Sequence, residues 1–162
     1  MRKIDEIGLK LCRIQAEVFE ASVSRLDCSS LIFMRRFMNS QVAQRIDGGG
    51  FIFEACDVNQ IIEEITAEFG ESSYGTEKYS EAEMYWIGYI YRYWAYTHQK
   101  TSKQIYKFEK PKELRSLYYP YHSLDPSQAI ERILEAKGVS EDNLTIARGV
   151  AIMRELIKKE HK

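Results

Sequence analysis

One segment constrains the fold of this chain more than any other, because residues 80–98 contain both tryptophans and five of the eleven tyrosines. Ser80 followed three residues later by Glu83 is the pattern of a capping box, which satisfies two backbone N–H groups at a helix start. A helix that is aromatic or apolar on every side usually packs against neighbours on several sides. The segment therefore predicts a central helix.

Wound at 3.6 residues per turn, the predicted helix has two aromatic faces. The face predicted to belong to the core consists of Ile87, Ile90, Tyr91 and Trp94. The opposite face consists of Tyr85, Tyr89, Arg92 and Tyr96. Phenol hydroxyls and a guanidinium on aromatic bodies suit an exposed surface or a buried one with polar partners. The sequence leaves both positions open.

Helix starts and stops recur along the rest of the 162-residue chain. Asp57 predicts a helix over residues 58–69 that ends at Gly70, and Pro111 and Asp125-Pro126 each mark another start. A last helix is expected from Ser140. We predict an all-α fold for residues 1–162, a single-domain bundle of about six or seven helices around the aromatic central helix.

The first predicted helix, residues 3–26, carries one narrow apolar stripe at alternating three- and four-residue steps. Such a stripe can pack on the domain's own core, or it can leave the helix peripheral and pair it with a partner. Packing within the domain is the simpler expectation.

Composition restricts the compartment and the classes of partner. The net charge of −1 favours neither nucleic acid nor an anionic membrane as a partner. The sequence starts on a charged amphipathic segment, and the apolar run 84–91 is too short to span a bilayer. Three widely spaced cysteines, Cys12, Cys28 and Cys56, are typical of reduced thiols. We expect a cytoplasmic protein that does not bind membranes.

Residue types that carry catalysis or bind metals are sparse. His122, Ser123 and Asp125 lie together, but Asp125 is predicted to cap a helix, and adjacent residues rarely converge as a catalytic triad does. The three histidines show no metal-ligand spacing. We therefore expect no catalytic residues, no metal and no cofactor.

Two segments have the composition of binding surfaces. Tyrosine and arginine anchor many protein interfaces, and they predict a partner-binding surface. Its candidate residues are Tyr85, Tyr89, Arg92, Tyr96, Arg115, Tyr118, Tyr119, Tyr121 and His122. Arg35 and Arg36, on an apolar helical segment, form a possible secondary surface. The basic segment 100–117 could instead form a helix-turn-helix for DNA, although Pro111 leaves almost no turn.

Three strings of the sequence support a resemblance to a known family. They are residues 33–40 (FMRRFMNS), residues 85–94 (YWIGYIYRYW) and residues 119–126 (YPYHSLDP). Through them the chain resembles, over about residues 29–136, a family of small bacterial proteins found in toxin–antitoxin-like gene neighbourhoods. Some of those neighbourhoods include a toxin that resembles ADP-ribosyltransferases. The resemblance implies an antitoxin-like or accessory role and assigns no site residues.

The sequence therefore supports one leading hypothesis and two alternatives. The leading hypothesis is a non-enzymatic module that binds a protein partner, with neutralisation of a cognate toxin as its role. The first alternative is a DNA-binding regulator that uses segment 100–117. The second is an enzyme or sensor that binds a nucleotide-like ligand near Arg92 and His122.

Overall fold

The computed structural model describes residues 1–49 and 57–139, and within them all regular secondary structure is helical. The helices are α1 (Glu6–Arg25), α2 (Ser30–Met38), α3 (Gln41–Asp47), α4 (Val58–Phe69), α5 (Glu81–Thr97), α6 (Ser102–Phe108), α7 (Pro111–Ser116), α8 (Tyr118–Tyr121) and α9 (Pro126–Ala136). The prediction of an all-α fold is confirmed. The helix predicted from Ser140, and Cys56, lie outside the described residues.

The nine helices of the described ranges exceed the predicted six or seven for local reasons. Ser40 begins α3 as a separate helix, because its hydroxyl accepts a hydrogen bond from the backbone N–H of Ala43 at 3.1 Å. Residues 118–121 form the single turn α8.

The predicted caps are present. The Ser80 hydroxyl accepts from the Glu83 N–H, and the Glu83 carboxylate accepts from the Ser80 N–H, both at 3.1 Å. Thr101 and Gln104 form a second capping box at the start of α6. Caps are short-range hydrogen bonds, so residue type and spacing predict them well.

The central helix α5 packs along α1 in an antiparallel pair. Near one end of the pair, a Cβ built on Gly8 would lie 2.6 Å from the Tyr96 ring. Farther along, the Gln15 side-chain amide donates to the Gly88 carbonyl at 3.1 Å. The apolar stripe of α1 therefore packs inside the fold through Leu11 and Val18.

The core surrounds the predicted inner face of α5. Ile87, Ile90, Tyr91 and Trp94 are all fully buried, as expected. Phe19 of α1 packs edge-on against Phe33 and Phe37 of α2, with ring centroids 5.3 and 5.0 Å away. Within the described residues, none of the helices combines the length and hydropathy that crossing a bilayer requires.

Candidate functional site

Arg92 lies in the interior, where it joins four helices. Its side chain is 2% exposed, Nε donates to the Gln15 Oε1 at 2.8 Å, and Nη1 donates to the Asp47 Oδ1 at 2.7 Å. Nη2 donates to the Ser102 hydroxyl at 2.7 Å. Of the two positions that the sequence leaves open for Arg92, the structure shows the buried one: its guanidinium is desolvated and its nitrogens are hydrogen-bonded inside the fold.

Asp47 completes this interior network from the end of α3. Besides Arg92, its carboxylate accepts from the Ser102 N–H at 2.9 Å and from the Ser102 hydroxyl at 2.7 Å. A cavity of about 510 Å³ adjoins the network, and its lining includes Asp5, Tyr96 and Lys100 but not His122. The ligand-binding alternative requires Arg92 and His122 to lie at one pocket. The structure does not bring them together around this cavity.

Tyr96 helps to hold the N-terminus against α5. Its hydroxyl lies 2.7 and 2.8 Å from the two carboxylate oxygens of Asp5, and the Arg2 guanidinium lies 4.3 Å from its ring centroid. The Gly8 backbone N–H, followed by the Tyr96 hydroxyl, lowers the pKa of Asp5. Tyr96 is half-buried, and its polar end is already engaged within the chain.

Three tyrosines form a ladder along one side of α5. Tyr85, Tyr89 and Tyr93 are spaced four residues apart, and successive ring centroids are 6.4 Å apart with planes inclined by 24°. Tyr85 and Tyr89 remain half-exposed. Burial raises the pKa of all three hydroxyls, so they are protonated at neutral pH. Tyr93, only 8% exposed, belongs to the buried core.

The turn α8 carries a second aromatic group. Tyr118 packs edge-on against Trp86 at 5.8 Å and stacks on His122 at 4.6 Å. His122 Nδ1 lies 2.9 Å from the Tyr118 carbonyl oxygen, and Tyr119 is 85% exposed. We call the following partly or well exposed set the aromatic surface: Tyr85, Tyr89, Tyr118, Tyr119 and His122. Tyr121, also predicted, is half-buried against the core.

Arg115 is an ion-paired residue at the edge of α7. Its Nε donates to the Glu83 carboxylate at 3.0 Å, its Nη1 lies 3.7 Å from Glu77, and its guanidinium lies 4.0 Å from the Tyr79 ring centroid. The hydrogen bond to Glu83 is the largest cause of the raised pKa of Arg115. Its charge is therefore largely neutralised within the fold.

The predicted arginine pair on α2 separates into two environments. Arg36 Nη1 donates to the Gly70 carbonyl at 2.6 Å, and its guanidinium lies 5.6 Å from the Phe69 ring centroid. Arg35 is exposed, and its positive charge opposes the rise that burial causes in the pKa of Tyr106 of α6. Only Arg35 thus retains the free cationic character expected of a secondary surface.

The basic segment does not form a helix-turn-helix of ordinary proportions. Only Glu109 and Lys110 separate α6, seven residues long, from α7, which has six. Neither helix has the length of a recognition helix that fills a major groove. Three lysines of this segment nevertheless lie on the outer side of α6 and at its end: Lys103, Lys107 and Lys110, all exposed.

The residues considered for catalysis and metal binding have structural surroundings. Asp125 caps α9, because its carboxylate accepts from the Ser127 N–H at 2.9 Å. Burial raises the pKa of the Cys12 thiol to about 12, so Cys12 is an unreactive thiol at neutral pH. In residues 1–49 and 57–139, no group of three or more potential ligand side chains is arranged to hold a metal ion.

Comparisons with known proteins add no relative to this description. No family model, no curated protein and no solved structure matches the chain.

Proposed function

We propose that this protein is a non-enzymatic module that binds a protein partner through the aromatic surface. We further propose an antitoxin-like role, in which the bound module covers the functional cleft of a partner toxin. The second part rests on the resemblance of residues 29–136 to proteins of toxin–antitoxin-like neighbourhoods. The first part rests on the geometry of α5 and α8.

The observation that carries the proposal is the exposure of Tyr119. Its side chain is 85% exposed on a helical turn that buries none of its four residues, and the rings of Tyr85 and Tyr89 are partly exposed on α5. Tyrosine loses little conformational entropy on binding and combines a large apolar body with a polar tip. A group of such rings is typical of the anchor residues of protein interfaces.

Acidic side chains flank the ladder at both ends. Besides burial, the charges of Glu17 and Glu20 on α1 raise the pKa of Tyr85, and the charge of Arg13 opposes them. Besides burial, the charge of Asp125 raises the pKa of Tyr93. Charges at the rim of an interface mainly affect the rate of association and the choice of partner. The rim of the aromatic surface would therefore favour a partner whose facing surface is basic.

A nuclease-treated pulldown from the source cells, with the full chain as bait, tests the proposal. We expect a stoichiometric protein partner, and we expect Tyr119→Ala to weaken its binding at least tenfold, as removal of an interface anchor does. Tyr74→Ala is the matched control, because Tyr74 is 75% exposed but lies on the loop before α5, outside the aromatic surface. It should leave binding unchanged.

Two results would contradict the proposal. One is the absence of any protein partner at comparable abundance to the bait. The other is equal binding by wild type, Tyr119→Ala and a Tyr85→Ala/Tyr89→Ala double variant, with helix content preserved in all three. Neutralisation is tested separately, by adding the purified module to the captured partner and measuring that partner's activity.

A further inference from the structure

A cluster of cationic side chains on α2 and α6 is distinct from the aromatic surface. We call Arg35, Lys103, Lys107 and Lys110, together with Tyr106, the cationic surface. We propose that it binds single-stranded nucleic acid, with the cations contacting phosphates and the Tyr106 ring stacking on a base. This is a second activity and does not depend on the protein-binding function.

Helical spacing places three of these residues on one side of α6. Lys103, Tyr106 and Lys107 occur at i, i+3 and i+4, while Ile105 of the same helix is buried. Lys110 lies beyond the end of α6, in the extended connection to α7. The Lys110 ammonium lies 4.8 Å from the Tyr106 ring centroid. Burial raises the pKa of the Tyr106 hydroxyl, and the positive charge of Arg35, on the adjacent helix α2, opposes that rise.

Unlike the ion-paired basic groups of the described residues, the cations of the cationic surface have no carboxylate oxygen within 4 Å. Arg92, Arg115 and Lys137 each lie within 4 Å of an Asp or Glu oxygen. None of the four cations of this surface makes an ion pair in the described part of the chain. A local positive field therefore persists although the whole chain carries a net charge of −1.

Tyr106 favours a single strand over the other polyanions that such a field would attract. Stacking one base on an aromatic ring raises affinity roughly fivefold to a hundredfold, whereas an exposed lysine–ring contact contributes about twofold to fivefold. A base can therefore displace Lys110 from the half-buried ring. A duplex hides its base faces, and an acidic peptide would need the charges but not the ring.

Fluorescence anisotropy of a labelled twelve-nucleotide oligothymidylate, titrated with the full chain from low salt upwards, tests the proposal. Four phosphate contacts predict a slope of log K against log salt of about −2.8, because each contact to a single strand contributes about −0.7. Replacing Lys103 or Lys107 by Gln should make the slope shallower by about 0.7. Lys10→Gln, an exposed lysine of α1, is the matched control and should leave the slope unchanged.

Tyr106 variants separate stacking from charge. Tyr106→Leu should lower affinity at least about fivefold with the salt slope unchanged, and Tyr106→Phe should retain the wild-type affinity. Circular dichroism confirms that each variant is folded. The proposal is overturned by absence of binding at low salt, by equal affinity of Tyr106→Leu, or by tighter binding of a matched duplex or of a polyglutamate peptide.

Discussion

At the scale of single residues, the clearest contrast is between Arg92 and Tyr119. Both residues belong to the predicted partner-binding surface, but the Arg92 side chain is 2% exposed and Tyr119 is 85% exposed. Arg92 is retained inside because Asp47, Gln15 and Ser102 satisfy its donors. A buried guanidinium without such partners would destabilise the fold strongly.

We therefore expect Asp47→Ala to lower the free energy of unfolding by about 3–5 kcal/mol, because it leaves the Arg92 charge buried and unpaired. Urea denaturation followed by circular dichroism measures this. The control is Glu64→Ala, whose ion pair with Arg45 is well exposed at 35% and 43%, and which should cost about 0–1 kcal/mol. A loss below about 1 kcal/mol for Asp47→Ala would contradict the structural role assigned to Arg92.

At the scale of elements, the closest approach is between α1 and α5. A Cβ placed on Gly88 would lie 2.8 Å from Phe19 Cγ and 3.0 Å from the Gln15 carbonyl oxygen. Neither neighbour can move freely, because Phe19 is fully buried and the Gln15 carbonyl belongs to the α1 backbone. The absence of a side chain at Gly88 thus sets the distance between the two helices.

Gly88→Ala tests this helix pairing. Alanine is a better helix former than glycine by about 1 kcal/mol, yet we expect a net loss of about 1–3 kcal/mol in the free energy of unfolding, because the added methyl overpacks the contact. Gly48→Ala serves as the control. A Cβ there would meet ordinary contacts at 3.6 and 3.7 Å, and the variant should be neutral or slightly more stable. Stabilisation by Gly88→Ala would argue against the close pairing.

At the scale of the whole molecule, buried titratable groups shape the dependence of stability on pH. Burial, followed by a hydrogen bond with Glu113, raises the pKa of Glu109 to about 7. Burial lowers the pKa of His98 to about 4. Because the pKa of Glu109 is higher in the folded than in the unfolded state, the free energy of unfolding falls as pH rises from 4.5 towards 7. Because the pKa of His98 is lower in the folded state, the free energy of unfolding rises as pH rises from 4 towards 6.5. The two effects oppose each other in wild type.

Glu109→Gln isolates one of these two effects. As pH rises from about 5.5 to about 7.5, wild type should lose about 1–2 kcal/mol in free energy of unfolding relative to the variant. The reason is that only wild type must ionise a buried carboxyl over this range. Urea denaturation of both proteins at the two pH values measures the difference. Glu63→Gln, an exposed carboxylate of α4, is the control. If the difference in free energy of unfolding between wild type and Glu109→Gln is the same at both pH values, Glu109 ionises normally.

The sequence by itself determined the features that depend on short-range contacts. The all-α class, the start of α5 at Ser80, the start of α9 at Asp125 and the inner face with Trp94 follow from caps and from the 3.6-residue period. These features are readable because the interacting groups are at most a few turns apart in the chain.

Only the tertiary structure decided which polar and aromatic residues face solvent. Arg92 is interior because Asp47 and Gln15, 45 and 77 residues away, meet it there. Arg35 and Arg36 are adjacent in sequence, but only Arg36 reaches the Gly70 carbonyl and lies near Phe69. Helical period assigns a residue to a face of its helix, whereas burial depends on which distant helix covers that face and which polar partners it supplies.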